Sequence, residues 1–370
     1  MKKLIFISGT PVSIIVGEKL NPKHYVDKGF EVEYWDITRI YYDEKKLAAY
    51  FGGNKRYRYQ FPKENIFVQK SQVKDAFKTL NSDVVFCHID FNQENDYWLR
   101  RLFKRYCIDY YSGPRRTTEY GCFQKDDTSG ISDFSFKILS AFRSRARVGY
   151  IHQKFCNILY KYTKYYQKPI FVAGSGTLGR NEMLKHTRSK KFVSVPSTDF
   201  AWLELPKLIS TPYCTYVDDA VIYSPDQSMT KGKNSTCHNL TEYSKNICKV
   251  FDTIEQTLGC KVVVAASRKY KYPDSKLFGG REIFYGKTNQ LIQHSNLVVG
   301  HASSGTWQAI VSSKPIILLW DPSFIKAKNV AVRQASIFLG LTPTMSTELT
   351  DIYLKSTSLK NQKQYNSGNH

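Results

Sequence analysis

Short apolar runs and helical repeats alternate along the first half of this chain. Leu4–Ser8 is one such run, Phe30–Trp35 is a second that ends near Asp36, and Asn65–Gln69 is a third. Asp83–Ile89, built of Val, Phe, Cys and Ile, has the continuous apolar character of a strand buried on both faces. From Glu94 to Tyr106 the apolar residues Trp98, Leu99, Leu102, Phe103 and Tyr106 recur at helical spacing, and Ile108–Tyr111 precedes a Ser-Gly-Pro break. Residues 115–130 are polar and read as a surface loop. Residues 132–167 read as one long helix or two short ones, with Val148, Ile151, Phe155, Ile158, Leu159, Tyr162 and Tyr166 in step. Ile170–Ala173 and Phe192–Val195 are further short strands. Strand, helix, strand in this rhythm predicts a parallel sheet covered by helices.

The second half repeats the rhythm. Cys214–Val217 is a strand, and a polar segment from Ser224 to Thr241 separates it from a helix at 242–258 that stops at Gly259, a C-cap glycine. Lys261–Ala265 (strand), Leu291–His294 (end of a helix), Leu297–Val299 (strand), Thr306–Ser312 (helix) and Pro315–Leu319 (strand) follow. The pattern is α/β throughout, in two Rossmann-like units joined near 205–215. The last residues, 360–370, are polar and read as a disordered tail.

Composition places the chain among ordinary globular proteins, long enough at 370 residues for two cores. No run of about 20 apolar residues occurs, so no transmembrane helix is expected. The opening Met1–Gly9 has a signal-peptide look, but Ser8, Gly9, Thr10 and Pro11 break its apolar stretch and no small-residue cleavage site follows. A buried first strand and a cytoplasmic location are therefore expected. Eight cysteines are scattered without a CxxC pair, and Cys87, Cys214 and Cys260 fall in or beside apolar segments, as reduced thiols that serve as small hydrophobes. The 54 Lys and Arg against 32 Asp and Glu give a net charge of +22, a surface that must meet something anionic. Composition does not choose among nucleic acid, an acidic membrane face and a phosphorylated or acidic substrate.

The sharpest chemistry lies at 297–306, where the strand Leu297–Val299 runs through Gly300 and His301 into Ala302-Ser303-Ser304-Gly305-Thr306. Unpaired N–H groups and the positive dipole end of a helix starting there suit a phosphate. Ser303, Ser304 and Thr306 offer hydroxyls, and Gly305 permits close approach. The same residues would equally make an ordinary N-cap. Nearby in sequence, Ala265 leads into Ser267-Arg268-Lys269, and Arg281 and Lys287-Thr288 precede the helix before Leu297. Two strand tips followed by polar or cationic residues make a crevice at the carboxyl edge of a sheet. Arg268, Arg281 and Lys287 could there neutralise a diphosphate, although in so basic a chain each also reads as a solvated surface cation.

Residues 215–320 resemble the C-terminal half of bacterial surface-polysaccharide glycosyltransferases, those building capsule or lipopolysaccharide. The resembling elements are YVDD…YSPD (216–226), FDTIEQTLGCKVVVAAS (251–267) and GREIFYGKTNQLIQHSNLVVGHASSGTWQAIVSSKPIILL (280–319). Relatives often end the strand after the helix in His-Pro-Arg, where this chain has Ser267-Arg268-Lys269. The resemblance implies an α/β GT-B architecture of two Rossmann-like domains facing each other across a cleft. They are expected as an acceptor-side domain at 1–208, a nucleotide-sugar-binding domain at 209–345 and a tail at 346–370. It also implies a nucleotide-sugar donor, no cofactor and no metal ion. The donor-binding residues expected from it are Arg268, Arg281, Lys287, Thr288, His301, Ser303, Ser304, Gly305 and Thr306. The His-x-Ser-Ser loop is similar to the motif by which GT-B sialyltransferases hold CMP, and no acidic ribose clamp follows Thr306. A CMP-activated acidic sugar is thereby favoured over UDP- and GDP-hexoses.

An inverting transfer needs a base to take the proton of the acceptor hydroxyl. Glu18, beside Gly17 in the loop after the first strand, Asp90 at the tip of Asp83–Ile89, and Asp199 after Phe192–Val195 are the candidates; each also reads as a capping or loop carboxylate. Asp218-Asp219 reads as a structural pair near the hinge. Residues 143–191 carry twelve Lys or Arg and the single acid Glu182, with Tyr160, Tyr162, Tyr165 and Tyr166 interleaved. Such a segment can lie on an anionic inner-membrane face, where lipid-linked glycan acceptors are found, or be a core helix with a solvated basic face. Two rival readings stand beside the glycosyltransferase. One is a sugar-nucleotide epimerase of the UDP-N-acetylglucosamine 2-epimerase type, and the other a nucleic-acid-binding protein gripping through 143–191. No nucleic-acid-binding motif supports the second, so no nucleic acid partner is expected.

Overall fold

A computed structural model describes residues 2–50, 58–112 except 82 and 91–96, 166–174, 187–189, 191–195, 204–221, 237–350 except 268–270, 274 and 304, and positions 180, 184 and 354. The chain divides into two compact units, Met1–Leu47 with Lys55–Ser197, and Ala48–Asn54 with Thr198–His370.

The first unit is built on β1 (Lys3–Ser8), β2 (Glu31–Asp36), β3 (Glu64–Ile66), β4 (Val84–Asp90), β5 (Asp109–Ser112), β6 (Val172–Gly174) and β7 (Phe192–Ser194). They form one sheet of order β3-β2-β1-β4-β5-β6-β7, and every pairing is parallel. Between strands run α1 (Ile14–Leu20), α2 (Pro22–Asp27), α3 (Glu44–Tyr50), α4 (Lys70–Lys78) and α5 (Tyr97–Arg105). The expected amphipathic face of α5 is real: Leu99, Leu102 and Phe103 are buried against the sheet. Aromatic rings fill much of that layer, with Phe77 stacked on Phe86 at 5.3 Å, Phe103 stacked on Tyr110 at 4.6 Å and Trp35 edge-on to Phe86 at 5.2 Å.

The second unit holds β8 (Tyr213–Val217), α6 (Leu240–Leu258), β9 (Lys261–Ala266), β10 (Ile283–Tyr285), α7 (Thr288–His294), β11 (Leu297–Gly300), α8 (Gln308–Val311), β12 (Ile316–Trp320), α9 (Lys326–Phe338) and β13 (Thr344–Met345). Its six strands, again all parallel, are ordered β10-β9-β8-β11-β12-β13. The long helix α6 starts where the Asn239 side chain accepts from the Glu242 amide at 3.1 Å and ends at Gly259, whose φ of +61° only glycine adopts without cost. Its Ile247, Val250, Phe251 and Ile254 are buried with Cys214, Tyr216, Val262, Val264, Leu297 and Val299 of the sheet, the main core of this unit.

Three expectations change. Residues 281–289 contain an unforeseen strand, β10, because a three-residue edge strand with half-buried side chains leaves almost no periodic signal. The helix expected at Thr306–Ser312 shrinks to the four residues of α8, since the chain first makes turns at Gly305–Trp307. The third strand stops at Ile66, and Gln69 instead opens α4 as half of a capping box with Gln72. The helices expected in 132–167 and most of the basic segment 143–191 lie outside the described residues. Among the described residues no helix is long and apolar enough to cross a membrane.

Candidate functional site

Parallel strands bring all their carboxyl ends to one edge of a sheet, and ligands of such sheets bind where the strand order reverses direction. In the second unit that reversal falls between β8 and β11, because β8 continues by way of α6 to β9 on one side and β11 leads to β12 on the other. The chain leaves β8 as Val217-Asp218-Asp219 and leaves β11 as Gly300-His301-Ala302-Ser303. The switch point therefore carries the segment that sequence chemistry marks as sharpest.

Close approach at this point depends on two glycines. A Cβ on Gly300 would stand 2.9 Å from the Thr306 methyl and 3.1 Å from the Val217 carbonyl oxygen. A Cβ on Gly305 would stand 3.2 Å from Val217 Cγ1 and 3.3 Å from the Thr288 methyl. Gly305 thus places the loop after β11 directly against both the tip of β8 and the start of α7. Gly286 (φ +68°) donates to the Ala266 carbonyl at 2.9 Å, which fixes the tip of β10 beside that of β9 and delivers Lys287 and Thr288 to the same edge. Lys287 is exposed there.

The hydroxyls of the loop are used differently from expectation. Thr306 Oγ1 accepts from the Ser303 amide at 3.1 Å and lies 2.8 Å from the His301 carbonyl and 2.7 Å from the Ser303 carbonyl. Ser303 Oγ accepts in return from the Thr306 amide at 3.4 Å, and both side chains are buried. Ser303 and Thr306 therefore fix the shape of the turn. His301 is also a core residue. Its Nδ1–H donates to the Leu319 carbonyl at 2.6 Å, so Nε2 accepts, from Tyr216 Oη at 2.9 Å. Tyr243 Oη meets Tyr216 Oη and closes a buried chain, Tyr243 to Tyr216 to His301 to Leu319. Complete burial, reinforced by the nearby Lys328 ammonium, pushes the His301 imidazole down to about 3, so it is neutral at any physiological pH.

Beside this chain lies the acid pair that the sequence marks as structural, and both of its carboxylates are engaged within the unit. Asp218 is 8% exposed, and its carboxylate accepts from Tyr272 Oη at 2.7 Å and from the Ala220 amide at 3.1 Å. Asp219 pairs with Lys328, whose Nζ also reaches the Ala302 carbonyl at 3.4 Å and so ties the loop after β8 to the loop after β11. Burial, with the neighbouring Asp219 charge adding to it, raises Asp218 to about 7, against the opposing pull of Tyr272, the Ala220 amide and Lys328.

Arg281 requires a correction. It precedes β10 and sits over α6, where Nη2 binds Asp252 at 2.5 Å and Glu255 at 2.7 Å and the guanidinium lies 5.5 Å from the Phe251 ring centre. Glu255 in turn accepts from the Val262 amide near the start of β9, so this cation is committed to the edge opposite the switch point. Arg268, Ser304 and Asp199 lie outside the described residues. In the first unit the order reverses between β1 and β4, and Asp90 ends β4 opposite Ser8 at that reversal. Glu18 stands in α1, exposed, and not in a loop; the neighbouring Gly17 is bare because the Tyr59 ring occupies the place of a Cβ, 1.9 Å away. Among the described residues no group of three His, Cys, Asp or Glu is placed to hold a metal ion.

No protein-family model and no curated protein sequence matches the chain. Solved structures do. A Glycyrrhiza uralensis protein solved with glycyrrhetinic acid 3-O-monoglucuronide superposes with a TM-score of 0.52 at 9% identity, over 99% of this chain and 90% of its own. The glycosyltransferase of kitacinnamycin does so with a TM-score of 0.50 at 11% identity, over 99% and 93%. The UDP-GlcNAc 2-epimerase of Methanocaldococcus jannaschii reaches 0.48 at 11% identity, over 98% and 92%. The fold is GT-B. At these identities the likeness concerns the fold alone.

Two outcomes follow from this geometry. Arg281→Ala lowers unfolding stability by about 1 kcal/mol in urea titrations, the scale of a partly exposed ion-pair network, and leaves affinity for any nucleotide ligand unchanged. Asp218 has its folded-state value raised, so its charge costs stability progressively as pH rises from about 4 to about 7. Melting curves of wild type and Asp218→Asn between pH 5 and pH 8 therefore diverge with rising pH in favour of the Asn variant. A constant difference would show that Asp218 titrates normally.

Proposed function

We propose that the protein is a glycosyltransferase whose second unit holds the nucleoside-phosphate end of a nucleotide-sugar donor at the β8/β11 switch point. The observation that carries this reading is the place of the turn after β11, which Gly305 seats against Val217 and Thr288 where the strand order of the second sheet reverses. Backbone at the carboxyl edge of a parallel sheet can meet a phosphate at such a reversal, and an exposed cation at Lys287 can balance its charge. Ser303 and Thr306 hold that turn in shape, His301 and Lys328 anchor its first residues, and Arg268 and Ser304 complete the proposed set. The glycosyltransferase of kitacinnamycin, which shares the fold, supports glycosyl transfer as the reaction class.

The donor we place first is a CMP-linked acidic sugar, on the likeness of the 301–306 loop to CMP-holding loops, and UDP- and GDP-hexoses come next. The acceptor proposed is a surface glycan or a lipid-linked glycan at the inner face of an anionic membrane, met through the basic segment 143–191. The reaction is proposed to run without a resident metal ion, the protein's own cations and dipoles carrying the charge of the leaving nucleotide. Asp90 is the first carboxylate proposed to take the acceptor proton, since it occupies the switch point of the first unit, with Asp199 and Glu18 behind it.

The deciding measurement is a thermal-shift panel of CMP, UDP, GDP and their sugars, run in EDTA. A specific ligand at a hundredfold excess over its Kd stabilises the fold by about 2.7 kcal/mol, a rise of several degrees. Lys287→Ala is expected to weaken the best ligand about tenfold, and Gly305→Val to abolish its shift with the circular dichroism spectrum retained. No stabilisation by any member of the panel would sink the donor-site reading. Once a donor is found, Asp90→Asn is expected to reduce kcat by a factor of about 100 or more without altering donor affinity, and full activity in that variant would remove Asp90 as the base.

A further inference from the structure

Two thiols that this sugar chemistry does not use meet at the opposite edge of the second sheet. Cys214 lies inside β8 and is fully buried, while Cys260 sits in the turn between Gly259 and β9 and is 6% exposed. Their Sγ atoms are 3.0 Å apart, inside the contact distance of two unbonded sulfurs. The spacing is imposed by the sheet, because β8 and β9 are locked in parallel register with Cys214 opposite Val262, two residues beyond Cys260. The α6 core packs over the same spot, with both cysteines in the cluster that includes Ile254, Val262 and Leu297. A shift of about 1 Å brings the sulfurs to bonding distance.

We propose that Cys214 and Cys260 form a peroxide-responsive disulfide that fastens the base of β8 to the turn between α6 and β9. The proposal is independent of the glycosyltransferase reading. Cys260 is the attacking thiol, being the more accessible; a hydrogen bond from the Cys214 thiol also holds it below its ordinary value, whereas the same contact and burial push Cys214 up. Deprotonated Cys260 attacks one oxygen of hydrogen peroxide, the O–O bond breaks, and the departing hydroxide takes the proton released by Cys260 to leave as water. Cys260 is then a sulfenic acid. Cys214 sulfur attacks the Cys260 sulfur, the S–S bond forms as the S–O bond breaks, and the hydroxide leaves with the Cys214 proton as a second water. Two thiols are oxidised to one disulfide and one peroxide is reduced to two waters.

The consequence is mechanical. The crosslink closes a loop between positions 46 residues apart, which restricts the unfolded chain and stabilises the second unit. The test treats the full chain with stepwise hydrogen peroxide, blocks remaining thiols with N-ethylmaleimide and maps tryptic peptides. Cys214 falls in peptide 208–231 and Cys260 in peptide 250–261, each the single cysteine of its peptide. The expected result is one linked species two hydrogens lighter than the sum of the two peptides, lost on reduction with dithiothreitol. It is accompanied by a Tm rise of roughly 5–10 °C that Cys260→Ala does not show. Both peptides fully alkylated at peroxide levels that oxidise the exposed Cys107 would overturn the proposal, as would Cys260 advancing to sulfinic acid with no linked species. If Cys260→Ala fails to fold, the peptide map of the wild-type chain decides alone.

Discussion

Pairing β8 with β11 sets two strand ends side by side whose continuing chains must part, one towards β9 and the other towards β12. Helices cannot cover the line along which they part, so a crevice is left at the carboxyl edge. The pairing needs Gly300 opposite Val217, because any side chain at Gly300 would meet Thr306 or the Val217 carbonyl. From that one contact follow the closeness of the 217–219 and 301–306 segments, the seat of Gly305 against Thr288, and the span that Lys328 bridges between Asp219 and Ala302.

The polar groups around the crevice divide into those that are used up and those that are available. His301, Tyr216 and Tyr243 satisfy one another inside the core and end on the Leu319 carbonyl, so they tie the loop to β12. Buried polar groups are tolerated only when paired in this way, and a paired network fixes one geometry where an apolar core would allow several. Ser303 and Thr306 are likewise used up within their own turn. Asp218 is used as well, by Tyr272 and the Ala220 amide, whereas Lys287 is exposed.

The opposite edge of the sheet serves a different purpose. There Arg281 bridges Asp252 and Glu255 of α6 and Glu255 caps the start of β9. A cation placed by sequence among ligand-binding residues proves to be part of the scaffold. The same edge holds Cys214 and Cys260, so both the ion pairs and the thiols join α6 to the strands beneath it.

The sequence by itself determined the class of the fold and most of its strands, because a parallel strand buried on both faces is written as an uninterrupted apolar run. Leu4–Ser8, Asp83–Ile89, Cys214–Val217 and Leu297–Val299 all appear within a residue or two of where they were expected. It also marked 301–306 as a loop of small and hydroxyl residues, and the structure spends Ser303 and Thr306 on the turn itself and His301 on the core. Edge strand β10 escaped it, because three half-buried residues produce no period. Only tertiary structure decided which polar residues face the crevice. Arg281 and Lys287 are six positions apart and equally cationic on paper, yet β10 lies between them and sends them to opposite edges of the sheet. Asp218 and His301, 83 positions apart, become neighbours through the β8/β11 register, and burial there changes the charge each can carry. Pairing across long stretches of chain, and the desolvation it brings, is information that no local pattern of residues contains.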